Sequence, residues 1–380
     1  MGQGWGSFEN MNLVRIKAIC KKEFIQIRRD AVSLAIVILM PVVQLIIYGY
    51  ALTFDVNNLT TVVHDQDKSR LSRELVAEFE RSGYFTVTAY VESGDALDYA
   101  IDSGQAQIGV TIPANFARDI ERRRAAQVGI VIDGSNSNTA SIASGYISAI
   151  SQLFPQRLAG IRLTPLIDAR PRVWYNTDLR SKNFLIPGLI AIIMATVLAL
   201  LTSMTIAREW ERGTMEQLIS TPVKPIEVII GKIIPYFIIG LFDMVLSVAM
   251  GLFLFDVPMK GSFGLLFVLS CIFLFGGVCQ GIVISINAKG SQATASQISL
   301  LITFLPSMLL SGFIFAIANM PRPLQFATYI LPARYVVSIL KGIFMKGSTL
   351  GLLWHETALL SVFGVVMFLM AVRRFQRRVE

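Results

Sequence analysis

A short charged segment, residues 208–220, has the composition of a specific contact surface. It reads REWERGTMEQLIS and lies between two long apolar runs, residues 184–206 and 226–255, so the membrane holds both of its ends. Apolar residues recur at helical spacing among its charges: Met215, Leu218 and Ile219. Proline at position 222 then ends the helix. The pattern predicts an amphipathic helix that either lies on lipid headgroups or docks on another protein.

The charged segment belongs to a longer pattern that extends into the following apolar run. The pattern consists of Glu209, Arg212, Gly213, Thr214, Glu216 and Leu218, followed by Thr221-Pro222-Val223, Gly231-Lys232 and Pro235. It resembles the signature of the ABC type-2 exporter permeases. A second stretch, residues 306–335, resembles the last conserved region of the same family.

This resemblance implies that residues 208–220 form a cytoplasmic coupling helix, which contacts a separate ATP-hydrolysing subunit. The residues expected to make the coupling are Glu209, Arg212, Gly213, Thr214, Glu216 and Leu218. ATP and Mg²⁺ would be bound by that partner, and this chain would hold no cofactor. The resemblance also implies a dimer with a second permease copy or a paralogue. The large polar domain suggests the multidrug and amphiphile efflux subclass, in which a periplasmic adaptor and an outer-membrane channel are further partners.

Motifs for catalysis or metal binding are missing from the chain. Gly231-Lys232 lacks the upstream glycine of a phosphate-binding loop, and Lys346-Gly347-Ser348 has its residues in the wrong order. The two histidines, His64 and His355, form no HExxH pair, and no GxSxG motif occurs. The sequence therefore predicts a transport subunit rather than an enzyme, with no catalytic residue and no metal site.

Asp243 is a carboxylate well inside a predicted span. A charge at the bilayer centre costs about 2.5–3.5 kcal/mol on insertion scales, so Asp243 is expected to face protein or water. It is a candidate for the translocation pathway together with Gln280 and Asn287, and a buried hydrogen bond is the alternative. Gly276, Gly277 and Gly281 form a small-residue face, suited either to a second copy or to a helix of the same subunit.

Composition identifies a polytopic membrane protein. Of 380 residues 53% are apolar and 16% charged, and the formal net charge is +8. Residues 55–180 contain 13 basic and 15 acidic side chains, which leaves 21 and 11 for the rest. The positive excess therefore flanks the apolar runs, which excludes a nucleic-acid-binding surface as its explanation. The three cysteines lie at or within apolar runs, so no disulfide framework is expected.

The apolar runs predict six transmembrane helices with both termini in the cytoplasm, because basic residues concentrate on that side. The family resemblance implies that the membrane is the inner membrane of a bacterium. An amphipathic interfacial helix occupies residues 1–30 and the first span residues 31–53. Residues 183–372 hold five further spans and an outer re-entrant segment, 319–347, with two short helices. The five spans are expected at residues 184–206, 226–255, 263–287, 293–318 and 350–372. A basic cytoplasmic tail, residues 373–380, ends the chain. The fold class is thus an α-helical polytopic membrane protein with an α/β ectodomain inserted after the first span.

The predicted ectodomain covers residues 54–182 on the periplasmic side and alternates strand with helix patterns. The expected strands are residues 60–64, 85–90, 106–112, 128–132 and 172–175. The expected helices are residues 71–81, 96–102, 114–124 and 139–158. Along the last helix Ile142, Tyr146, Ile150 and Leu153 form an apolar stripe, which we expect to pack on the sheet.

The leading hypothesis is a permease subunit of an ATP-driven exporter. Two alternatives from other classes stay open. One is a membrane sensor or scaffold whose ectodomain binds a ligand, which the absence of an ATPase partner would favour. The other is an ion-driven antiporter that uses Asp243 and transports without ATP.

Overall fold

The computed structural model describes residues 12–51, 58–122, 124–135, 137–158, 180–288 and 291–379. The chain divides into two compact units, one formed by residues 54–172 and the other by residues 1–53 with 173–380. The second of these units contains most of the helices. Six helices of the described chain are long and apolar enough to cross a membrane, which confirms a polytopic membrane protein.

The chain begins with α1 (Leu13–Arg29), capped by the Asn12 side chain, and continues as the first candidate span, α2 (Ala31–Ala51). The sequence predicts that Leu13, Ile16, Ile19 or Cys20, Phe24 and Ile27 form the apolar face of α1, but only part of this face is buried. Ile16, Ile19 and Ile27 are buried, but Leu13 and Phe24 are exposed. A carboxylate, Glu23, occupies the buried stripe instead, because residues 16, 19, 23 and 27 recur at helical spacing.

The inserted unit is an α/β structure with a four-stranded sheet. The strands lie in the order β2 (Phe85–Tyr90), β1 (Leu59–Asp65), β3 (Ile108–Ile112) and β4 (Gly129–Ile132). β1 pairs in parallel with β2 and β3, whereas β4 runs antiparallel to β3. The elements are β1 (Leu59–Asp65), α3 (Arg70–Arg81), β2 (Phe85–Tyr90), α4 (Gly94–Asp102), β3 (Ile108–Ile112), α5 (Phe116–Glu121), β4 (Gly129–Ile132) and α6 (Ser137–Leu158). The four strand and four helix predictions in the described residues agree with these elements, and the expected strand at 172–175 lies outside them.

Helix α6 packs on the sheet through a different stripe from the one predicted. Ala143, Ile147, Ile150 and Phe154 enter the core with Val63 and Phe79 from β1 and α3. Leu153 is exposed, whereas Tyr146 is half-buried and its ring stacks on Tyr84 with centroids 3.8 Å apart. The predicted stripe was therefore wrong by one position along most of the helix, although packing against the sheet is confirmed.

The remaining helices form a bundle around α7, which is buried along almost its whole length. Around it lie α2, α9, α10, α11 and α14. The elements are α7 (Ser181–Glu211), α8 (Thr214–Ile219), α9 (Pro225–Phe253), α10 (Phe263–Asn287), α11 (Gln292–Ser299), α12 (Leu305–Leu310), α13 (Arg322–Thr328), α14 (Pro332–Lys341) and α15 (Trp354–Val379). A π-helical turn, Leu300–Phe304, joins α11 to α12, so that the two make one span.

One predicted span is shorter in the structure. The span expected at residues 293–318 ends at Leu310, because Gly312 adopts a left-handed conformation with φ 82° and turns the chain. Residues 373–379 of the expected basic tail are the last part of α15, which remains helical to Val379 and buries Phe375. Two short helices, α13 and α14, are present in the predicted 319–347 segment.

The small-residue face of α10 is used inside the subunit. A Cβ on Gly281 would lie 1.7 Å from Thr202 Oγ1 on α7, and one on Gly277 would lie 2.9 Å from a Leu198 methyl group. Gly276 approaches the backbone of Gly364 on α15. Because these glycines have no side chain, α10 can pack closely against α7 and α15.

Candidate functional site

The predicted coupling helix is two elements rather than one. Residues 208–211 are the last turn of α7, and a separate helix of six residues, α8, begins at Thr214. Between them Gly213 has φ 69°, and its amide donates to Trp210 O at 3.1 Å, which closes the end of α7. A left-handed residue at this place reverses the chain, so a continuous helix over 209–220 was a wrong prediction.

Helix α8 presents most of the predicted coupling residues to solvent. Arg212, Thr214 and Glu216 are exposed, and Gly213 is exposed between them. Met215 is fully buried and anchors α8 on the bundle, while Leu218 is half-buried. Four neighbouring positions can therefore contact another protein without any rearrangement of the subunit.

Glu209 is placed differently from the other predicted coupling residues. Its side chain is 2% exposed and forms ion pairs with Lys22 of α1 and with Lys232 of α9, whose Nζ lies 3.0 Å from Oε2. The Glu209 carboxylate therefore faces the interior of the subunit and offers no surface to a partner.

A second carboxylate completes this arrangement. Lys232 Nζ donates to Glu23 Oε1 at 2.8 Å, and the Tyr236 hydroxyl donates to Glu23 Oε2 at 3.3 Å. Glu23, Glu209 and Lys232, which are buried, and Lys22, whose side chain is 45% exposed, form what we call the buried charge cluster. Its two positive and two negative groups balance, and buried charges are tolerated when they are paired in this way. The cluster ties α1 to the ends of α7 and α9.

Sequence reasoning missed Lys22 and Glu23 as functional residues, and it used Lys232 only as part of a motif. The sequence contained a signal for both residues. Glu23 lies on the apolar stripe of α1, and Lys232 lies between Ile229 and Ile233 in an otherwise apolar run. Charges at such positions need partners. The partner residues are distant in sequence: Lys232 lies 209 positions from Glu23, and Glu209 lies 187 positions from Lys22.

Arg208, next to Glu209, holds a second junction. Its guanidinium lies 2.8 Å from Asp30 Oδ2 and donates through Nε to Gln292 at 3.0 Å, and both groups lie at helix starts. Burial raises the pKa of Asp30, but the Ser33 hydroxyl and the Arg208 charge outweigh it, so this pKa lies below its usual value. The Arg208 junction joins α7 to the first turns of α2 and α11.

Glu227 makes a third connection, between α1 and α9. Its carboxylate accepts from the amides of Asn12 at 2.8 Å and Lys224 at 2.9 Å, and Arg15 lies 3.6 Å away. The carboxylate thus caps the start of α9 while binding the start of α1. Helix α1 is therefore attached to the segment around α8 at both its beginning and its middle.

The end of α15 also reaches this side of the bundle. Arg374 donates to Asn287 Oδ1 at 2.6 Å, and the Arg378 guanidinium lies 5.1 Å from the Trp210 ring centroid. Asn287, a predicted pathway residue, is therefore at the exposed end of α10, where it also donates to Val283 O.

The three predicted pathway residues do not meet. Asp243 is buried on α9, as expected, and its closest polar contact is Ser247 Oγ at 3.4 Å. Gln280 donates to Thr303 on the π-helical turn at 3.4 Å. In the described part of the chain Asp243 Oδ2 has no hydrogen-bond partner, and neither Gln280 nor Asn287 is bonded to Asp243.

These contacts connect several helix ends on one side of the bundle. The exposed helix α8 packs against α7, and ion pairs of Glu209 link the end of α7 to α1 and α9.

Comparison with known proteins shows the family of the chain. Residues 31–373 match the model of the ABC-2 family transporter protein. The chain is 38% identical over 338 residues to the probable multidrug ABC transporter permease YbhS of Escherichia coli K12, covering 88% of this chain and 89% of that protein. It is 31% identical over 366 residues to the probable multidrug ABC transporter permease YbhR of the same organism, which covers 96% of this chain and 99% of that protein.

A more distant relative has the same kind of name. The inner membrane transport permease YhhJ of Escherichia coli K12 is 28% identical over 328 residues, which covers 83% of this chain and 85% of that protein. The family match begins after α1, so it covers the inserted sheet, Glu209 and Lys232 but not Lys22 or Glu23. The chain belongs to the ABC-2 transporter family and is a membrane-spanning ABC transporter permease.

Proposed function

We propose that this permease is the membrane subunit of an exporter that moves drugs, lipids or other amphiphiles out of the cytoplasm or inner membrane. The family membership and the multidrug names of two relatives support this substrate class. The energy comes from a separate subunit that binds and hydrolyses ATP with Mg²⁺. The chain itself is a transport subunit and not an enzyme.

The observation that carries the proposal is the exposed helix α8 on its buried charge cluster. Closure of two ATP-binding subunits pushes on Arg212, Thr214 and Glu216, which are exposed. Glu209 and Lys232 then pass the displacement to α7, α9 and α1, because these helices share ion pairs of 3.0 Å and less. Glu209 thus acts as a positioning residue, behind the contact surface rather than in it.

The proposed orientation places α8 in the cytoplasm. Basic residues dominate this side of the sequence, with Arg28 and Arg29 before α2, Arg212 and Lys224 beside α8, and Arg373, Arg374, Arg377 and Arg378 at the end of α15. Cytoplasmic flanks carry such an excess. Both termini are then cytoplasmic, and residues 54–182 are periplasmic in a bacterial inner membrane. The 319–347 segment lies at the outer face.

The proposed assembly contains a second permease copy or a paralogue beside the two ATP-binding subunits. Large apolar side chains are exposed on α2, on the α11–α12 span and on α15. Lipid tails and a partner permease are the two environments that would cover them. A periplasmic adaptor and an outer-membrane channel are further proposed partners, for which the size of the inserted domain is the support.

Co-purification tests the proposal most directly. The chain is extracted from its native membrane in mild detergent, and bound proteins are identified by mass spectrometry. We expect a subunit with a phosphate-binding loop to accompany the wild type, and Glu216→Lys to reduce its recovery at least about tenfold, since a reversed charge at a contact opposes docking. Asp98→Lys, an equally exposed change on α4, is the control and should retain the partner.

Two outcomes would contradict the proposal. Recovery of the chain alone, or with periplasmic proteins only, would support a sensor or scaffold whose inserted domain binds a ligand. Transport by the purified chain in vesicles without ATP, driven by an ion gradient and abolished in Asp243→Asn, would support an antiporter.

A further inference from the structure

The inserted α/β unit contains a cleft where small ligands bind in related sheet architectures. The loop after β1 leads to α3, which packs with Val63 on one face, whereas the loop after β2 leads to α4, which packs with Val62 on the other. β1 and β2 are adjacent and parallel. The crevice between the carboxyl ends of two such strands is the usual binding place in open α/β sheets.

The cleft at this edge has a volume of about 350 Å³ and is lined by both loops: Asp65, Lys68, Arg73, Tyr90, Val91 and Glu92. This volume lies at the lower end of the range for small-molecule sites. The cleft is open to solvent, so a ligand can enter without a change in the domain.

One half of the cleft is positively charged. Lys68 and Arg73 are exposed, and within the described residues neither forms an ion pair. The nearby Asp65 carboxylate forms no ion pair with Lys68 or Arg73 among the described residues; it accepts hydrogen bonds from the amides of Asp67 and Lys68 and from Ser72 Oγ at 2.6 Å. The positive end of the α3 dipole adds to this half.

The other half is aromatic and negatively charged. Tyr90 is 64% exposed, and Glu92 forms no ion pair among the described residues. Partial burial raises the pKa of Tyr90, and the carboxylates of Glu80 and Asp65 raise it further, which reflects a negative potential at the ring. An aromatic face beside a carboxylate is the usual recognition surface for an ammonium group.

We propose that this cleft binds a small zwitterion of the phosphoethanolamine type, with its phosphate between Lys68 and Arg73 and its amine against Tyr90 and Glu92. The two charged halves are complementary to the two ends of such a molecule. The same phosphate and amine groups are found in a lipid headgroup and in the free headgroup ester. This binding is independent of the transport role, because all its residues belong to the inserted unit.

Isothermal titration calorimetry on the full chain in detergent tests the proposal, with O-phosphoethanolamine and inorganic phosphate as probes. We expect one phosphoethanolamine per chain. Lys68→Gln and Arg73→Gln should each weaken both probes about tenfold, the loss expected for one charge-assisted hydrogen bond. Glu92→Gln should lower the affinity for phosphoethanolamine about tenfold and leave the affinity for phosphate unchanged, since phosphate has no amine.

Arg70→Gln is the matched control, because Arg70 is a basic residue on the same helix that pairs with Glu74 outside the cleft. It should bind both probes like the wild type. The proposal is wrong if phosphoethanolamine fails to bind, or if Arg70→Gln weakens binding as much as Arg73→Gln. It is equally wrong if Glu92→Gln reduces the affinity for both probes alike. All four side chains are exposed, so the variants should keep the wild-type unfolding temperature.

A further titration identifies the source of the ligand. The chain is placed in nanodiscs of phosphatidylglycerol alone or with an equal part of phosphatidylethanolamine. Weaker apparent binding of free phosphoethanolamine in the second type of disc would mean that the lipid headgroup occupies the cleft. Equal binding in both discs would support a soluble ligand.

Discussion

In the segment of residues 208–220, some charged side chains are exposed to solvent and others are buried in the subunit. Glu216 is exposed, whereas Glu209, seven positions earlier, is enclosed by Lys22 and Lys232. Removing one member of a buried pair leaves an uncompensated charge, whereas an exposed charge is solvated by water. The two glutamates should therefore respond to the same substitution in different ways.

Glu209→Gln should destabilise the folded chain by about 3 kcal/mol, because Lys22 and Lys232 would share Glu23 as their one carboxylate. Thermal unfolding in detergent measures the loss, and Glu216→Gln, at an exposed position, should leave the unfolding temperature unchanged. Equal unfolding temperatures for the two single variants would contradict a structural role of the cluster.

Asp243→Asn should reduce export while leaving expression and assembly intact. The substitution costs little stability, because the Asp243 carboxylate has a single long hydrogen bond, 3.4 Å from Ser247 Oγ, in the described part of the chain. Export is measured in vesicles with the ATP-binding subunit present, and chain yield by gel filtration. Loss of both export and assembly would assign Asp243 to packing instead of transport.

Among the elements, the turn between α7 and α8 has the most specific backbone requirement. Gly213→Ala should weaken the recovery of the ATP-binding subunit, because alanine at φ 69° costs about 1 kcal/mol and shifts α8. No atom lies within 4 Å of the added Cβ, so the effect arises from the backbone alone. Gly213→Asn should retain more of the partner, since asparagine adopts this conformation more readily. Equal recovery with all three residues would contradict the prediction.

The contact between α7 and α10 depends on a missing side chain. Gly281→Ala should destabilise the chain by about 1–3 kcal/mol, because its Cβ would meet Thr202 Oγ1 at 1.7 Å and the helices must separate. Thermal unfolding in detergent again provides the measurement. Gly145→Ala on α6 is the control: nothing lies within 4 Å, and alanine favours the helix, so stability should stay equal or rise. A neutral result for Gly281→Ala would mean that α10 is not closely packed here.

At the scale of the whole molecule, the proposed orientation puts α8 and the inserted domain on opposite sides of the membrane. In a background with Cys20, Cys271 and Cys279 replaced by serine, a membrane-impermeant maleimide should label Asp98→Cys in intact spheroplasts. The same maleimide should label Gln217→Cys only after the spheroplasts have been lysed. Both positions are exposed, so a difference in labelling reports sidedness rather than burial. Labelling of Gln217→Cys in intact spheroplasts would reverse the orientation.

Much of the architecture could be predicted because its signals are local. The candidate spans match apolar runs, and the span at Phe263–Asn287 has the predicted bounds. The four described strands follow from short β-rich runs and the helices between them from their spacing. Errors occurred where a single backbone conformation decides the outcome, at Gly213 and Gly312, since glycine adopts either hand and its sequence position does not reveal which.

The sequence alone determined the class of protein, the family resemblance and the charged segment between two spans, because apolar length and residue order are properties of the chain itself. The tertiary structure decided which of those charges face water. Glu209 and Glu216 are equally charged in sequence, but Lys22 and Lys232, brought together from α1 and α9, bury the first and leave the second exposed. Such pairing over some 200 positions depends on how helices pack, which no local pattern contains.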